Sequence, residues 1–293
     1  MRVLVTNDDG IESVGIQVLA AHLADAGHEV VVVAPDRDYS GSGAALGDLK
    51  PDVDLPVRKV ELAGRPDIEA WALAGAPALT VVAGMLGAFG PAPEVVVSGI
   101  NAGLNTGRSV LHSGTVGAAL TAQNFGISGL AVSTAVTDPW HWDTAAAIAV
   151  DTLELLARGP ARSVINLNVP GLPRDEVLGV RWARLAPFGA VRAAVSSRDD
   201  ERLQFELTPT GYEPEPDTDQ GSVQAGWASL TTLAGVVEAW PVDEAASEAD
   251  LSLDDLAATG FEGHIEPGAP LHPVHEVPDA SNHRFLRRPS LGS

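Results

Sequence analysis

The first 135 residues of the chain alternate short β-branched runs with stretches whose apolar positions recur every three or four residues. The runs at residues 2–6 and 30–33 are typical of buried strands. Between them, apolar side chains at helical spacing predict a helix that ends before Gly27, carried by Ile16, Leu19, Ala20 and Leu23. This alternation is the signature of right-handed βαβ units around a parallel sheet.

The same pattern continues towards residue 170. It predicts helices over residues 78–89, 113–126 and 144–157, and strands over 94–98, 130–133 and 164–168. From about residue 180 the apolar positions become isolated and alternating, at 202–207 and 227–230, which predicts β-hairpins. We therefore expect an α/β fold: a Rossmann-like parallel sheet flanked by helices, with C-terminal β-hairpin extensions.

Length and composition indicate one principal domain over residues 1–235, with the hairpin extensions starting at about 180. Residues 236–293 differ from it, because they hold 11 acidic and 3 basic residues among scattered prolines and glycines. We expect this acidic tail to be poorly ordered or wrapped on a neighbour. Its four histidines fit no standard zinc spacing.

The charge balance limits the classes of partner. With 39 acidic against 18 basic residues the formal net charge is −21, so the molecule repels the phosphates of a nucleic acid polymer. A small anionic substrate would need local compensation, and a divalent cation at an acidic site would supply it. The absence of cysteine excludes disulfides and thiolate catalysis.

The predicted location is the cytoplasm. The run at residues 1–5 reaches Asn7 too early for the apolar core of a signal peptide. Residues 70–93 carry no charge, but their glycines, prolines and alanines favour a buried helix over a membrane span, so no membrane contact is expected.

Ligands of open parallel sheets bind beyond the carboxyl ends of the strands, so we expect the binding site in the loops that follow strands. Asp8 and Asp9 follow the first strand, and adjacent carboxylates are costly unless a cation or proton separates them. Mg²⁺ or Mn²⁺ prefers oxygen ligands, and three loops offer such a set: Asp8, Asp9, Ser40 and Asn101. Ordinary turn chemistry is the alternative reading of each residue. We expect the Asp8 carboxylate to be exposed at the sheet edge.

The predicted helix start at Ser113, Gly114 and Thr115 offers backbone N–H groups, hydroxyls and the positive end of the helix dipole. These features suit a phosphate group. The alternative is a plain N-cap serine.

Six segments together resemble the successive signatures of the SurE family, in the same order and at matching spacing from residue 1 to about 235. They are residues 5–11 (VTNDDGI), 34–41 (APDRDYSG), 97–105 (VSGINAGLN), 113–116 (SGTV), 166–170 (NLNVP) and 218–231 (TDQGSVQAGWASLT). The resemblance implies a Rossmann-like fold, a divalent metal, and hydrolysis of nucleoside monophosphates. It also implies that the metal ligands are Asp8, Asp9, Ser40 and Asn101, and that homodimers or homotetramers form through exchanged C-terminal segments.

The resulting prediction is a metal-dependent phosphomonoesterase that acts on nucleoside 5′- or 3′-monophosphates. Asp8 is the candidate catalytic group, as nucleophile or as the base that orients water, while Asn105 and the 113–115 turn hold phosphate oxygens. An NAD-binding Rossmann domain is disfavoured, since residues 7–11 contain one glycine where that fold needs a Gly-x-Gly-x-x-Gly motif. A catalytically altered relative that only binds nucleotide or a protein partner remains the alternative, because the family's usual hydroxyl residues are replaced by Gly43, Ala44 and Ala45.

Overall fold

A computed structural model of the chain describes residues 1–47, 49, 54–188, 191–199, 201–209 and 211–237. Apart from residues 236 and 237, the predicted acidic tail lies outside the described residues.

Eleven strands and five α-helices are assigned within the described part of the chain, together with one 3-10 helix over Gly107–His112. The strands are β1 Arg2–Thr6, β2 Glu29–Pro35, β3 Val57–Leu62, β4 Arg65–Leu73, β5 Val95–Ala102, β6 Ser128–Thr134, β7 Val164–Val169, β8 Val180–Trp182, β9 Val191–Arg198, β10 Leu203–Pro209 and β11 Ala228–Leu233. The helices are α1 Val14–Asp25, α2 Pro77–Met85, α3 Gly114–Asn124, α4 Trp142–Arg158 and α5 Asp219–Gln224.

Nine strands form one sheet in the order β3-β4-β2-β1-β5-β6-β7-β11-β8. The six strands from β4 to β7 in this order run parallel to one another. Strand β3 pairs antiparallel with β4, β11 pairs antiparallel with β7, and β8 pairs parallel with β11. Strands β9 and β10 form a separate antiparallel hairpin. The predicted fold class is confirmed: a mostly parallel α/β sheet with a C-terminal hairpin.

Both faces of the central strands are buried, which explains their continuous apolar runs. Val3 and Val5 of β1 point into the apolar layer formed with α1 and α4, whereas Leu4 points into the layer formed with α2 and α3. Each of these side chains is fully buried, which is worth about 1.5–3 kcal/mol per side chain. The sheet is therefore held between two helical layers, and the loops beyond its carboxyl ends are presented on a rigid edge.

Several element predictions need correction. The second helix is shorter than residues 78–89, and residues 70–73 belong to β4. Strands β3 and β4 were not predicted, because β3 is an edge strand with mostly exposed, charged positions. The segment at 227–230 does not form a hairpin: its residues 228–230 lie in β11, inside the main sheet between β7 and β8. No helix among the described residues is long and apolar enough to cross a bilayer.

Candidate active site

Three loops meet at the carboxyl edge of the sheet, where β2, β1 and β5 lie side by side. The loop after β1 is joined to the segment after β2 by main-chain hydrogen bonds, from Ile11 N to Pro35 O (2.9 Å) and from Tyr39 N to Asp8 O (2.8 Å). The register of β1 and β5 places Thr6 beside Ser98, so the residues that follow both strands share this edge. The topology therefore unites the loops that the sequence singled out.

The Asp8 side chain is buried, with 3% of its surface exposed, so the expectation of an exposed carboxylate is wrong. The Thr115 hydroxyl donates a hydrogen bond to Asp8 Oδ1, and Thr115 Oγ1 also lies 3.5 Å from Asn101 Oδ1. Thr115 thus connects two of the predicted metal ligands. The carboxylate fits here because residue 114 is glycine: a Cβ at that position would lie 2.7 Å from Asp8 Cβ and 2.9 Å from Asp8 Oδ2.

Asp9 carries a perturbed carboxyl group. Burial first, and then repulsion from Asp8, raises the pKa of Asp9 to about 6 from the usual 3.8, while a hydrogen bond from the Ala102 backbone N–H lowers it. Asp9 Oδ2 is buried and has no hydrogen-bond partner among the described residues. An anionic oxygen left in this state is unfavourable without a cation or a proton.

Asn101 and Ser40, the other two predicted metal ligands, differ in their contacts with Asp8 and Asp9. Asn101 is the second-to-last residue of β5, after an irregularity in the pairing with β6, and its Nδ2 donates to Gly103 O at 2.6 Å. Ser40 is exposed, and its backbone N–H donates to Asp38 Oδ1 at 2.7 Å. The Asp38 pKa is lowered by hydrogen bonds from the Ser40 side chain and backbone. The sequence neighbour of Ser40, Tyr39, donates its backbone N–H to Asp8 O, and this bond links the loop of Ser40 to the loop of Asp8.

The start of α3 is built as predicted, but its hydroxyls are engaged by the protein. Ser113 is the N-cap residue, and its side chain accepts a hydrogen bond from Val116 N at 3.1 Å. Thr115 Oγ1 is bonded to Asp8. A phosphate at this point would therefore meet the first-turn backbone N–H groups and the helix dipole.

Asn105 is held by its main chain. Its N–H donates to Asn168 Oδ1 at 2.8 Å, and its carbonyl accepts from Asn168 Nδ2 at 2.9 Å and from Asn166 Nδ2 at 2.8 Å. Its own Nδ2 donates to Ser133 Oγ at 2.9 Å, which leaves the second amide hydrogen for a ligand. Asn105 is fixed in position without using its whole side chain.

Four residues of the site were not predicted from the sequence: Asn166, Asn168, Ser133 and Ser42. Asn166 and Asn168 are completely buried in a strand, two residues apart, and therefore share one face of the sheet. Two asparagines in an otherwise apolar strand were a usable signal, since buried amides need partners. The Ser42 hydroxyl lies 2.8 Å from the point where a Gly114 Cβ would stand, and it has no hydrogen-bond partner among the described residues.

Within the described ranges no cluster of three or more His, Cys, Asp or Glu side chains is arranged to hold a metal ion. Only two of the predicted ligands, Asp8 and Asp9, belong to these residue types. The other two, Ser40 and Asn101, offer neutral oxygen atoms. That composition is compatible with a hard cation that keeps several waters.

The sequence of the chain is similar to the sequences of known proteins. The family model described as "Survival protein SurE" matches residues 3–189. The chain is similar to "5'-nucleotidase SurE" of Stenotrophomonas maltophilia (strain K279a), with 39% identity over 80% of this chain and 89% of that protein. It is 40% identical to "5'/3'-nucleotidase SurE" of Serratia proteamaculans (strain 568), over 80% of this chain and 90% of the other.

The fold is also shared with a solved structure. The SurE protein from Aquifex aeolicus superposes with a TM-score of 0.67 at 31% identity, covering 80% of this chain and 93% of that one. The matches include the loops that carry the clustered carboxylates and the start of α3. The chain belongs to the SurE family.

Proposed function

We propose that this protein is a divalent-metal-dependent phosphomonoesterase that hydrolyses nucleoside 5′- or 3′-monophosphates. The names of the two nucleotidase relatives support the reaction class and the substrate class. The observation that carries the proposal is the adjacent carboxylates of the buried Asp8 and the half-buried Asp9, beside Asn101 and the first turn of α3. Groups that can bind a cation therefore lie beside groups that can bind an anion.

The residues present fit a hard divalent cation. The buried Oδ2 of Asp9 has no hydrogen-bond partner among the described residues and needs a positive neighbour at neutral pH. The raised pKa of Asp9 has the same cause, because the charged carboxylate lacks a compensating positive charge. Asp8, Asp9, Ser40 and Asn101 would hold Mg²⁺ or Mn²⁺. When bound, the metal would withdraw charge from a phosphoryl oxygen and make the phosphorus more electrophilic.

The chain's own residues would position the phosphate. The first-turn N–H groups of α3 at Gly114 and Thr115, and the free amide hydrogen of Asn105, would donate to the phosphoryl oxygens. Because Asn105 and the helix start are fixed by hydrogen bonds, little reorganisation is needed on binding.

Asp8 would carry the chemistry of the protein itself. The Thr115 hydroxyl bonds one carboxylate oxygen, Oδ1, and so fixes the direction of the other oxygen, Oδ2. Oδ2 would either attack phosphorus or orient and deprotonate the attacking water. If Oδ2 attacks phosphorus, the bond from phosphorus to the nucleoside oxygen breaks, that oxygen takes a proton from solvent, and a water molecule then hydrolyses the aspartyl phosphate to inorganic phosphate. If Oδ2 instead accepts a proton from the attacking water, the same bond breaks, the nucleoside oxygen takes up that proton, and inorganic phosphate is released directly.

Association through C-terminal segments into a homodimer or homotetramer is part of the same proposal, as is a cytoplasmic location. The β9–β10 hairpin presents exposed apolar side chains, Val195, Leu203 and Phe205, which a second copy would cover. Light scattering at micromolar concentration measures this directly, and the mass of a single chain would contradict it.

The activity is tested by phosphate release from a panel of adenosine, guanosine, cytidine and uridine 5′- and 3′-monophosphates, with Mn²⁺, with Mg²⁺ and after treatment with EDTA. We expect turnover only with metal and recovery when metal is restored. Full activity in exhaustively chelated protein, with no metal by elemental analysis, would contradict metal dependence. Nucleotide binding without turnover under every condition would favour the catalytically altered relative instead.

A further inference from the structure

Asp219 is a completely buried aspartate, distant in sequence from the active-site loops, whose carboxylate accepts three backbone hydrogen bonds. Oδ1 accepts from Ala186 N at 2.9 Å and from Gln220 N at 2.8 Å. Oδ2 accepts from Gly107 N at 2.8 Å. Gln220 is the next residue in the chain, whereas Gly107 and Ala186 belong to two segments that are distant in sequence. The segment of Ala186 is also joined to the start of α5 by the parallel bridge between Arg184 and Thr218, so the bond to Gly107 is the one that adds a third segment.

Gly107 is the donor that connects Asp219 to the active site. It follows Asn105 by two residues and begins the 3-10 helix that leads into Ser113. It has φ +62°, and a Cβ there would lie 2.9 Å from Ala186 O. The segment that carries both proposed phosphate contacts is thus packed closely against residue 186 and tied to Asp219.

The Asp219 carboxylate is costly to bury, and burial raises its pKa even though the three N–H groups favour the charged form. An apolar residue at the start of α5 would avoid that cost if the only task were to fill space. The buried carboxylate is explained if its task is to keep Gly107 in a fixed position. The Asn168 bonds fix the segment at Asn105, and Asp219 fixes it two residues later.

We infer that Asp219 is a positioning residue for the proposed reaction: it holds segment 105–113 in the conformation that binds the substrate phosphate. Asp219 touches neither substrate nor metal in this role. The inference rests on the proposed phosphomonoesterase function, and it adds a contribution from the C-terminal part of the sheet to the phosphate site.

The variant Asp219→Asn tests the inference sharply. The asparagine keeps one carbonyl oxygen, which can still accept from Ala186 N and Gln220 N, but it turns an NH₂ group towards Gly107 N–H. The bond to Gly107 is then lost selectively. Asp217→Asn is the matched control, because it removes the same charge two residues away, at an exposed carboxylate that pairs with Arg184 and does not contact Gly107.

We expect Asp219→Asn to raise KM for the nucleotide and the Kd for inorganic phosphate by about tenfold, with kcat changed by less than about threefold. Uniform weakening of this kind follows because the segment contacts phosphate in both the ground state and the transition state. Amide hydrogen exchange at Gly107 should become faster in this variant and stay unchanged in Asp217→Asn. A variant that only loses thermal stability, with KM and phosphate Kd equal to those of the parent, would overturn the inference.

Three further outcomes are informative. If Asp219→Asn does not fold, the parent protein alone still decides, because the inference requires Gly107 to be as protected from exchange as the sheet before any ligand is added. Rapid exchange at Gly107 in the parent would refute it.

If the parent binds phosphate but shows no turnover, the proposed catalysis fails while the phosphate titrations of both variants still test Asp219. If the parent does not bind phosphate at all, both proposals fail.

Discussion

Replacing Asp9 by asparagine should stabilise the metal-free protein while it destroys metal binding. The perturbation is small in volume, since Asn keeps an oxygen for the Ala102 N–H and removes only the charge. Burial and the neighbouring Asp8 raise the pKa of Asp9 from 3.8 to about 6. At pH 7.5 the ionised carboxyl therefore opposes folding.

The magnitude follows from that shift. A displacement from 3.8 to about 6 corresponds to about 3 kcal/mol at most, and partial solvent screening of Asp9 reduces the expected gain to about 1–2 kcal/mol. For a domain of this size the melting temperature should rise by about 3–6 °C. The sign also fixes the pH dependence: the unfavourable charge is absent below pH 3.8 and fully present above about pH 6, so the gain should grow between these values and then level off.

The assay is thermal and urea unfolding in EDTA between pH 4.5 and 8. Asp67→Asn is the matched control, because Asp67 is exposed, is paired with Arg65 and has a lowered pKa, so its loss should bring no gain. Saturating Mn²⁺ should reverse the order of the parent and Asp9→Asn, since only the parent gains free energy from the bound ion. An equal or lower stability of Asp9→Asn at pH 7.5, or a gain that does not change with pH, would refute the reasoning.

Three other substitutions give independent readouts. Asp8→Asn should abolish turnover at saturating metal while circular dichroism and the unfolding midpoint stay near those of the parent; near-normal kcat would show that Asp8 is not the catalytic group. Gly114→Ala should lower kcat/KM by more than tenfold, because the added Cβ would lie 2.7 Å from Asp8 Cβ. The control is Gly159→Ala, at the C-terminal end of α4, which should leave kcat/KM unchanged. Ala45→Ser should restore a hydroxyl in the loop that follows Ser40 and shift kcat/KM among adenosine, guanosine and simple aryl phosphates. Identical kcat/KM values for parent and variant would mean that this loop does not set specificity. The same change at Gly43 is avoided because its φ of +54° would strain a serine.

The parts of the fold that could be predicted from sequence are those with a strong local signal. Strand β1 has the predicted limits, and α1, β6 and α4 lie where the periodicity placed them, because central strands and their covering helices carry uninterrupted or strictly periodic apolar residues. The grouping of Asp8, Asp9 and Asn101 was also predictable, since the carboxyl ends of parallel strands must share an edge. Edge strand β3 and the insertion of β11 beside β7 were not, because they depend on pairing between distant segments.

What only the tertiary structure decided is how each site residue is held. The sequence identified Asp8 and Thr115 but could not indicate that they are bonded to each other, that Asp8 is buried, or that Gly114 leaves the space for its carboxylate. It likewise gave no reason to connect Gly107 with Asp219, which lies 112 residues further along the chain. Local sequence sets which groups are present and which elements form, whereas burial, charge repulsion and long-range hydrogen bonds exist only after the chain has packed, and these determine the properties of the site.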